Sequence, residues 1–304
     1  MAKSCSWDEF ACEVLGLYLA PMRGIATYRK MSQVLREFGG VCRRPADLSP
    51  GAIARWISVY PGRRPATVDS YLRSLRAACV YGLKLGVLKS NPFDLRGPSE
   101  WVDWGVPDLP PPVHSGEEIS RVLALADEKA IGGSWRASRL RAVVYAFAYT
   151  GARRRELLGL RVSDVDLVAG TISISTNTRR SLKTRASAAV VPVAPALSAR
   201  LSLWTPDCGS IFLFPGVRRV GPWLEGPVGG KALDEVKALG VEAGVFGLTF
   251  QSFRHSFASL AEGWGFGELA LQRILRHTSL GSQAFYRHVL PDVLRDVAGK
   301  IRFP

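Results

Sequence analysis

A proline-rich stretch between Asn91 and Val113 places the strongest constraint on how this chain can fold. Six prolines lie in that stretch, at positions 92, 98, 107, 110, 111 and 112. Proline lacks a backbone N–H and has a fixed φ, so the stretch cannot continue a helix or a central β-strand. We therefore predict a linker over residues 96–112, between a first domain of residues 1–95 and a second domain of residues 113–304. A length of 304 residues is compatible with two domains of ordinary size.

Helical periodicity dominates the residues before the linker. One apolar segment covers residues 14–18. The clearest apolar stripe repeats at spacings of three and four residues and consists of Val68, Leu72, Leu75 and Cys79. Pro65 precedes this stripe, and Thr67 has the side chain of a helix N-cap. These patterns predict that the first domain is a small helical bundle.

The second domain begins with a helix signal of its own. Ser115 and Glu118 have the spacing of a capping box in front of apolar residues. A further helical stripe follows, formed by Leu140, Val143, Val144 and Phe147. Gly151 comes directly after this stripe and is the expected C-terminal stop.

Alternating apolar and polar residues indicate a small sheet in the second domain. Residues Thr171–Ser175 alternate in this way, as does the stretch around Val191 and Val193. The residues between them are polar and basic, so we predict a β-hairpin with a long basic turn. Helical patterns resume around residues 253–264 and 271–275. The fold class is therefore mainly α with a small antiparallel β-sheet, an α+β domain after a helical one.

The charge balance points to a polyanionic partner. The 40 Lys and Arg residues exceed the 26 Asp and Glu residues, which gives a formal net charge of +14. Nucleic acid is the first candidate partner and an anionic membrane surface the second. The longest apolar runs, such as residues 142–149, are far shorter than the ~20 residues that cross a bilayer, so no membrane span is expected.

The N-terminal region and the cysteines favour a cytoplasmic protein. Asp8, Glu9 and Glu13 precede the first apolar stretch, where a secretory signal would be basic. Five scattered cysteines contain no C-x-x-C pair and indicate neither a disulfide framework nor a zinc site. A reducing, cytoplasmic compartment, with association to the nucleoid, fits these features.

Two groups of basic residues are candidates for binding DNA phosphates. The group before and within the Pro65 helix consists of Arg63, Arg64, Arg73 and Arg76. The group in the predicted hairpin turn consists of Arg179, Arg180 and Arg185. A solvated basic face remains the alternative for either group, but in so basic a chain each can equally neutralise phosphates.

The sequence lacks the motifs of several common kinds of enzyme. Gly229, Gly230 and Lys231 are followed by Ala232 where a phosphate-binding loop has Ser or Thr. The four histidines show no metalloprotease spacing, and no G-x-S-x-G elbow exists.

An ordered series of motifs remains, and it resembles the tyrosine recombinase (phage integrase) family. The series comprises TGARRREL at 150–157, Lys183 in the basic hairpin, QSFRHSFA at 251–258, LRHTSL at 275–280, and Tyr286. The family's boxes read T-G-x-R-x-x-E-L, H-x-L-R-H-T/S-F-A and L-G-H-S/T-S, with a tyrosine nine residues after the last His. This chain departs from them twice, with Gln251 at the usual His and Arg276 at the usual Gly.

The chemistry of these residue types fits phosphodiester transesterification. Tyr286 is an oxygen nucleophile that can form a phosphotyrosyl bond. Arg153 and Arg254 offer planar forks that match the non-bridging oxygens of a phosphate. The resemblance further implies that Lys183 protonates the leaving 5′ oxygen, that His277 hydrogen-bonds the phosphate, and that Glu156 orients the arginine. Arg179, Arg180 and Arg185 remain alternatives to Lys183, and neither a metal nor a nucleotide cofactor is expected.

The resemblance also implies an architecture and a function. It implies a two-domain clamp on duplex DNA that carries out site-specific recombination through a covalent 3′-phosphotyrosyl intermediate. Four protomers would assemble on two inverted-repeat sites, as in DNA integration by a mobile element. Two alternatives stay open: a type IB topoisomerase that relaxes DNA, and a catalytically impaired protein that only binds its site.

Overall fold

A computed structural model describes residues 5–19, 25–59, 62–105, 112–177, 188–223, 229–276 and 291–304. It divides into two compact units, Met1–Leu109 and Pro110–Pro304. The expected fold class is confirmed, because the described residues form mostly α-helices and one three-stranded antiparallel sheet. None of the helices in these ranges is both long and apolar enough to cross a bilayer.

Four helices build the first unit. They are α1 (Trp7–Leu19), α2 (Ile25–Gly39), α3 (Pro50–Val59) and α4 (Pro65–Lys84). The predicted stripe of α4 is buried, and it packs with Phe10, Phe38 and Trp56 in one apolar core. The rings of Phe38 and Trp56 stack with their centroids 4.6 Å apart. The prediction of a helical bundle is thus confirmed for this unit.

The predicted cap of α4 is wrong. The helix begins at Pro65, so Thr67 lies inside its first turn and Arg64 occupies the N-cap position without a side-chain cap bond. Proline at the first helical position needs no N–H partner and has the φ of a helix, which lets the helix start three residues earlier than an N-cap at Thr67 would.

Part of the proline-rich stretch packs on the first unit. Pro98–Trp101 form a short 3-10 helix against α4. The Ser99 hydroxyl donates to Asp69 of α4 at 2.9 Å and accepts from Arg73 at 2.7 Å. Phe93, just before this helix, is buried in the unit's core. The first compact unit therefore includes residues beyond 95. The limits given above for the two domains and the linker stay a prediction.

Helix α6 (Trp135–Thr150) is the centre of the second unit. It is buried on nearly all sides, from Ala142 to Thr150. Its neighbours in contact are α5 (Gly116–Ala130), α8 (Pro195–Trp204), α9 (Gly229–Glu242) and α10 (Phe250–Leu260). The predicted capping box is present, since the N–H of Glu118 donates to the Ser115 hydroxyl and the N–H of Ser115 donates to the Glu118 carboxylate.

The predicted hairpin is present and gains a third strand. Strands β2 (Thr171–Ile174) and β3 (Ala189–Pro192) pair antiparallel, with Ile172 opposite Val191. Strand β1 (Val165–Asp166) adds to the outer edge of β2 and was not predicted, because two residues carry no detectable alternation. Most of the basic turn, residues 178–187, lies outside the described residues.

Three more helices of the described residues belong to the second unit. They are the short helix α7 (Arg154–Leu158), α11 (Glu268–Leu275) and α12 (Pro291–Gly299). Phe303, beyond α12, packs edge-on against Tyr149 of α6 and Trp264, with ring centroids 5.1 and 5.4 Å away. This packing places Phe303 between the end of α6 and the segment that follows α10.

Candidate active site

The corner between α6 and α7 positions two of the predicted site residues. Gly151 ends α6 with a left-handed φ of 54°, as expected. A Cβ on Gly151 would lie 2.8 Å from Cδ1 of Phe257 and 2.9 Å from Cδ2 of Leu275. Glycine meets both the backbone and the packing requirement, so the chain turns sharply here. Arg153 then occupies the N-cap position of α7, and Glu156 its third residue.

Two hydrogen bonds join Arg153 to Glu156. The backbone N–H of Arg153 donates to Oε2 of Glu156 at 2.7 Å, and its Nη1 donates to Oε1 at 2.9 Å. The Glu156 side chain is 4% exposed, whereas that of Arg153 is 34% exposed. A buried carboxylate thus orients a guanidinium that remains accessible from outside.

Arg254 on α10 binds the C-terminal ends of two other helices. Its Nη1 donates to the carbonyl oxygen of Gly151 at 2.8 Å, and its Nη2 donates to that of Leu275 at 2.6 Å. These carbonyls stand at the C-terminal ends of α6 and α11, where helix carbonyls lack partners within the helix. The bonds therefore satisfy two helix ends and fix the Arg254 guanidinium beside Gly151.

Arg276 joins this cluster, although no motif predicted a role for it. Its Nη2 donates to Oε2 of Glu156 at 2.8 Å, and its backbone carbonyl accepts from Nη2 of Arg153 at 3.2 Å. The Arg276 side chain is 1% exposed. The one sequence signal was its departure from the glycine that the family has next to His277.

Burial and the neighbouring charges shift the pKa values of Arg254, Glu156 and Arg276, and that of Arg276 is lowered by burial. Burial lowers the pKa of Arg254, which the neighbouring charges of Arg153 and Arg276 also lower, to about 10. Burial would raise the pKa of Glu156, but the charge of Arg276 and the hydrogen bonds from Arg153 and Arg276 hold it below its usual value. At neutral pH all four groups are ionised, and three arginines with one glutamate leave a net charge of 3 − 1 = +2.

An excess of positive charge on planar donors suits a phosphate group. Guanidinium N–H groups bind phosphate oxygens in a fixed geometry and strengthen as charge develops on those oxygens. Within the described ranges, no group of three or more His, Cys, Asp or Glu side chains is placed so that it could hold a metal ion.

Gln251 lies on the first turn of α10, with its side chain exposed. Its Nε2 is 3.2 Å from Nε2 of His255, one helical turn further along. The amide N–H can donate to that imidazole nitrogen when the nitrogen carries no proton. Gln251, which stands where the motif usually has His, thus lies within hydrogen-bonding distance of His255.

His114 holds α10 from its buried side. Its backbone N–H donates to the Ser256 hydroxyl at 2.7 Å, and its Nε2 lies 3.2 Å from the Ser252 hydroxyl. Burial lowers the pKa of His114, so the ring is neutral at pH 7. Sequence patterns missed this contact because the partners are 142 and 138 residues away along the chain.

Six predicted site residues lie outside the described residues. They are Lys183, His277 and Tyr286 of the proposed chemistry, and Arg179, Arg180 and Arg185 of the basic hairpin turn. Of the predicted catalytic set, the structure brings together Arg153, Glu156 and Arg254.

In the first unit, Arg63 is engaged with its own chain. Both of its Nη atoms donate to the Glu37 carboxylate, at 2.8 and 3.1 Å. Its guanidinium also lies over the rings of Trp56 and Tyr71, 5.4 and 5.1 Å from their centroids. These contacts give Arg63 a structural role.

The other three predicted arginines of this unit are exposed. Arg73 donates to Asp69 at 2.7 Å as well as to Ser99. Arg64 and Arg76 form no ion pair with any residue that the structure describes. They are therefore the more available of the four for an external phosphate.

Comparison with family models and curated proteins finds clear relatives. The model of the phage integrase family matches residues 114–292. Tyrosine recombinase XerC of Xanthomonas campestris pv. campestris is 28% identical over 235 residues, which cover 75% of this chain and 65% of XerC. The match thus spans slightly less than two thirds of the length of that relative.

Solved structures share the fold. An integrase of the Tn1549 transposon, in complex with transposon right end DNA, has a TM-score of 0.70 at 18% identity, covering 96% of this chain and 98% of that chain. A lambda integrase tetramer bound to a Holliday junction has a TM-score of 0.68 at 16% identity, covering 91% and 78%. At such identities the likeness shows the fold alone.

Proposed function

The chain belongs to the phage integrase family of tyrosine recombinases, and on that basis we propose that it is a site-specific DNA recombinase. It breaks and rejoins DNA strands through a covalent 3′-phosphotyrosyl intermediate. One observation carries the proposal: Arg153 and Glu156 of the first motif and Arg254 of the second, 98 or more positions away, lie in one electropositive cluster joined at Gly151 and Leu275.

The proposed reaction is a transesterification at a DNA phosphate. The Tyr286 oxygen forms a bond to phosphorus while the bond from phosphorus to the 5′ oxygen of the next nucleotide breaks. Lys183 gives a proton to that leaving oxygen, and the phenol loses its own proton to solvent. The phosphotyrosyl diester conserves the bond energy, so that a 5′ hydroxyl can later rejoin the strand.

The cluster supplies the charge stabilisation for this reaction. Arg153 and Arg254 hold the non-bridging oxygens, whose negative charge grows in the transition state. Glu156 orients Arg153, while His277 and Gln251 donate hydrogen bonds to the phosphate. No metal ion or nucleotide cofactor enters these steps.

The proposed partner is duplex DNA that carries an inverted-repeat recombination site. The solved structure of the Tn1549 transposon integrase is a complex with transposon right end DNA, and that of lambda integrase is a tetramer bound to a Holliday junction. We extend both properties to this chain, with four copies acting on two sites in the cytoplasm, at the nucleoid. Phosphate contacts come from Arg64 and Arg76, then Arg63 and Arg73, and from Arg179, Arg180 and Arg185 of the hairpin turn.

The nucleophile is tested with Tyr286→Phe. We expect this variant to form no covalent adduct with a nicked suicide substrate while it binds the same DNA as well as the unchanged protein does. The change removes one hydroxyl, which is the nucleophile but contributes little to phosphate binding. The reactions are run in EDTA, because the proposed charge stabilisation comes from arginines.

The wild-type protein and an exposed-surface variant, Ser259→Ala on α10, serve as adduct-forming controls. An adduct with Tyr286→Phe, or a strict requirement for Mg²⁺, would contradict the proposal. Relaxation of plasmids that lack any specific site would instead favour a topoisomerase.

A further inference from the structure

Arg276 has a backbone conformation that an arginine rarely adopts. It follows α11 with φ 53° and ψ 46°, and its N–H donates to the carbonyl of Arg273 at 3.1 Å. A side chain in this left-handed region costs free energy that glycine avoids. An arginine at such a position therefore needs a compensating interaction.

The compensating interaction is an ion pair buried at the candidate active site. The side chains of Arg276 and Glu156 are 1% and 4% exposed, and their closest atoms are 2.8 Å apart. Burying one such charge without the other is strongly unfavourable. Glu156 already accepts two hydrogen bonds from Arg153, so the pair does not stand apart from the site.

The contacts of Arg276 with Arg153 close a ring. Arg153 donates to Glu156, Arg276 donates to the same carboxylate, and the backbone carbonyl of Arg276 accepts from Arg153. Two of the Arg153 nitrogens are thereby held by groups that depend on Arg276. A guanidinium fixed at two nitrogens has few orientations left.

The ring also sets the charge of the site. If Glu156 had Arg153 as its only partner, the pair would be neutral. Because Arg276 shares the carboxylate, the three residues keep a net positive charge, to which Arg254 adds another. An anionic phosphate is bound more strongly by such a cluster than by a neutral pair.

We propose that Arg276 is a positioning residue for strand cleavage, which holds Glu156 with its side chain and Arg153 with its carbonyl so that Arg153 faces the scissile phosphate. This inference rests on the proposed recombinase function. The proposal assigns a role in cleavage to an arginine at a position where the family usually has glycine.

The test measures single-turnover cleavage of a nicked suicide substrate at saturating DNA. Arg276→Gly removes the side chain and relieves the backbone, and Arg276→Met keeps the bulk without the charge. We expect both to cleave about tenfold to a hundredfold more slowly, because small misplacements of a reacting group have effects of that size. DNA affinity should change less than about threefold, since most phosphate contacts remain.

Arg276→Lys and Arg273→Met are the matched controls. The lysine keeps a charge near Glu156 and should recover part of the lost rate. Arg273 is exposed on the same helix, so removal of its charge should leave the saturated cleavage rate within about twofold. Melting temperatures of all variants identify any that do not fold.

Two readouts separate positioning from a structural role. The charged groups around Glu156 in the described residues are Arg153, Arg254 and Arg276. Without Arg276, burial raises the pKa of Glu156. The acid limb of the profile of cleavage rate against pH should therefore move to higher pH in Arg276→Met. It should not move in Arg273→Met. Adding Arg276→Met to Glu156→Gln should cost little further rate, because both changes break the same ring.

Several results would overturn the inference. One is cleavage by Arg276→Gly that is as fast as that of the unchanged protein, or faster. Another is simple addition of the rate losses of Arg276→Met and Glu156→Gln, together with an acid limb that does not move in Arg276→Met. Absence of any adduct with the wild-type protein would overturn the recombinase function and this inference together. Equal adduct formation by the wild type and the Arg276 variants would overturn this inference alone.

Discussion

At the scale of single residues, Glu156 organises the site because Arg153 and Arg276 both donate hydrogen bonds to its carboxylate. A buried carboxylate is stable only when its oxygens are paired, and here both oxygens accept hydrogen bonds from arginines. Its pKa stays below the usual value despite burial because those positive groups lie beside it. The carboxylate thus remains charged through the neutral range and keeps its hold on Arg153.

Gln251 provides a test of a single side chain. An amide can donate a hydrogen bond to a phosphate oxygen but cannot take up a proton near pH 7. We expect Gln251→Ala to slow single-turnover cleavage more than Gln251→His changes it, and Gln251→His to stay within about tenfold of the unchanged protein, because we assign a hydrogen-bonding role to this position.

Ser259→Ala, on the exposed face of the same helix, is the control and should behave as the wild type. General acid or base help is typically worth about 10² to 10⁴-fold. A hundredfold gain from Gln251→His would therefore show that the natural protein lacks a proton-transfer group and is a catalytically impaired member of the family.

At the scale of elements, the turn from α6 into α7 carries the site. Gly151 ends α6, leaves no room for a Cβ beside Phe257 of α10 and Leu275 of α11, and presents its carbonyl to Arg254. The position of Arg153 two residues later depends on this turn. A change at Gly151 should therefore affect stability and cleavage together.

We expect Gly151→Ala to lower the free energy of unfolding by about 3 kcal/mol, because a left-handed φ and an overpacked Cβ each cost about 1 to 2 kcal/mol. Gly170→Ala is the matched control, since Gly170 also has a positive φ of 64° but nothing within 4 Å of the added Cβ. Gly170→Ala should lower the free energy of unfolding by about 1 kcal/mol. Denaturant unfolding measures both, and equal losses would contradict the packing explanation.

At the scale of the whole molecule, the net charge of +14 dominates its encounter with DNA. Part of that charge is used inside the fold, as the pairs of Arg63 with Glu37 and of Arg73 with Asp69 show. The charges that remain unpaired at the surface are those that can release counterions from DNA. Arg64 and Arg76 are the predicted contacts of this kind in the first unit.

We expect the affinity for the recombination site to fall steeply with salt, and the double variant Arg64→Ala with Arg76→Ala to reduce the slope of log affinity against log salt by about 2. Arg44→Ala is the control, because Arg44 is exposed in the same unit but paired with Asp47. Fluorescence anisotropy titrations at several salt concentrations measure the slopes. An unchanged slope in the double variant would remove these two residues from the DNA interface.

The sequence by itself determined what depends on neighbours along the chain. The stripe of α4, the capping box at Ser115, the stop at Gly151 and the hairpin were all predictable, because helix periods, caps and strand alternation are local properties. The resemblance of the motifs also identified Arg153, Glu156 and Arg254 as one set. Tertiary structure alone decided which distant groups complete that set.

The pairing of Arg276 with Glu156 spans 120 residues, and the hold of His114 on Ser256 spans 142. Arg63, which lies before α4, likewise pairs with Glu37 of α2, 26 residues away. No local pattern encodes such contacts, because they form only when packing brings the elements together and burial makes an unpaired charge or polar group costly. For this reason the sequence presented Arg276 as a departure from a motif, and the fold placed it within the candidate active site.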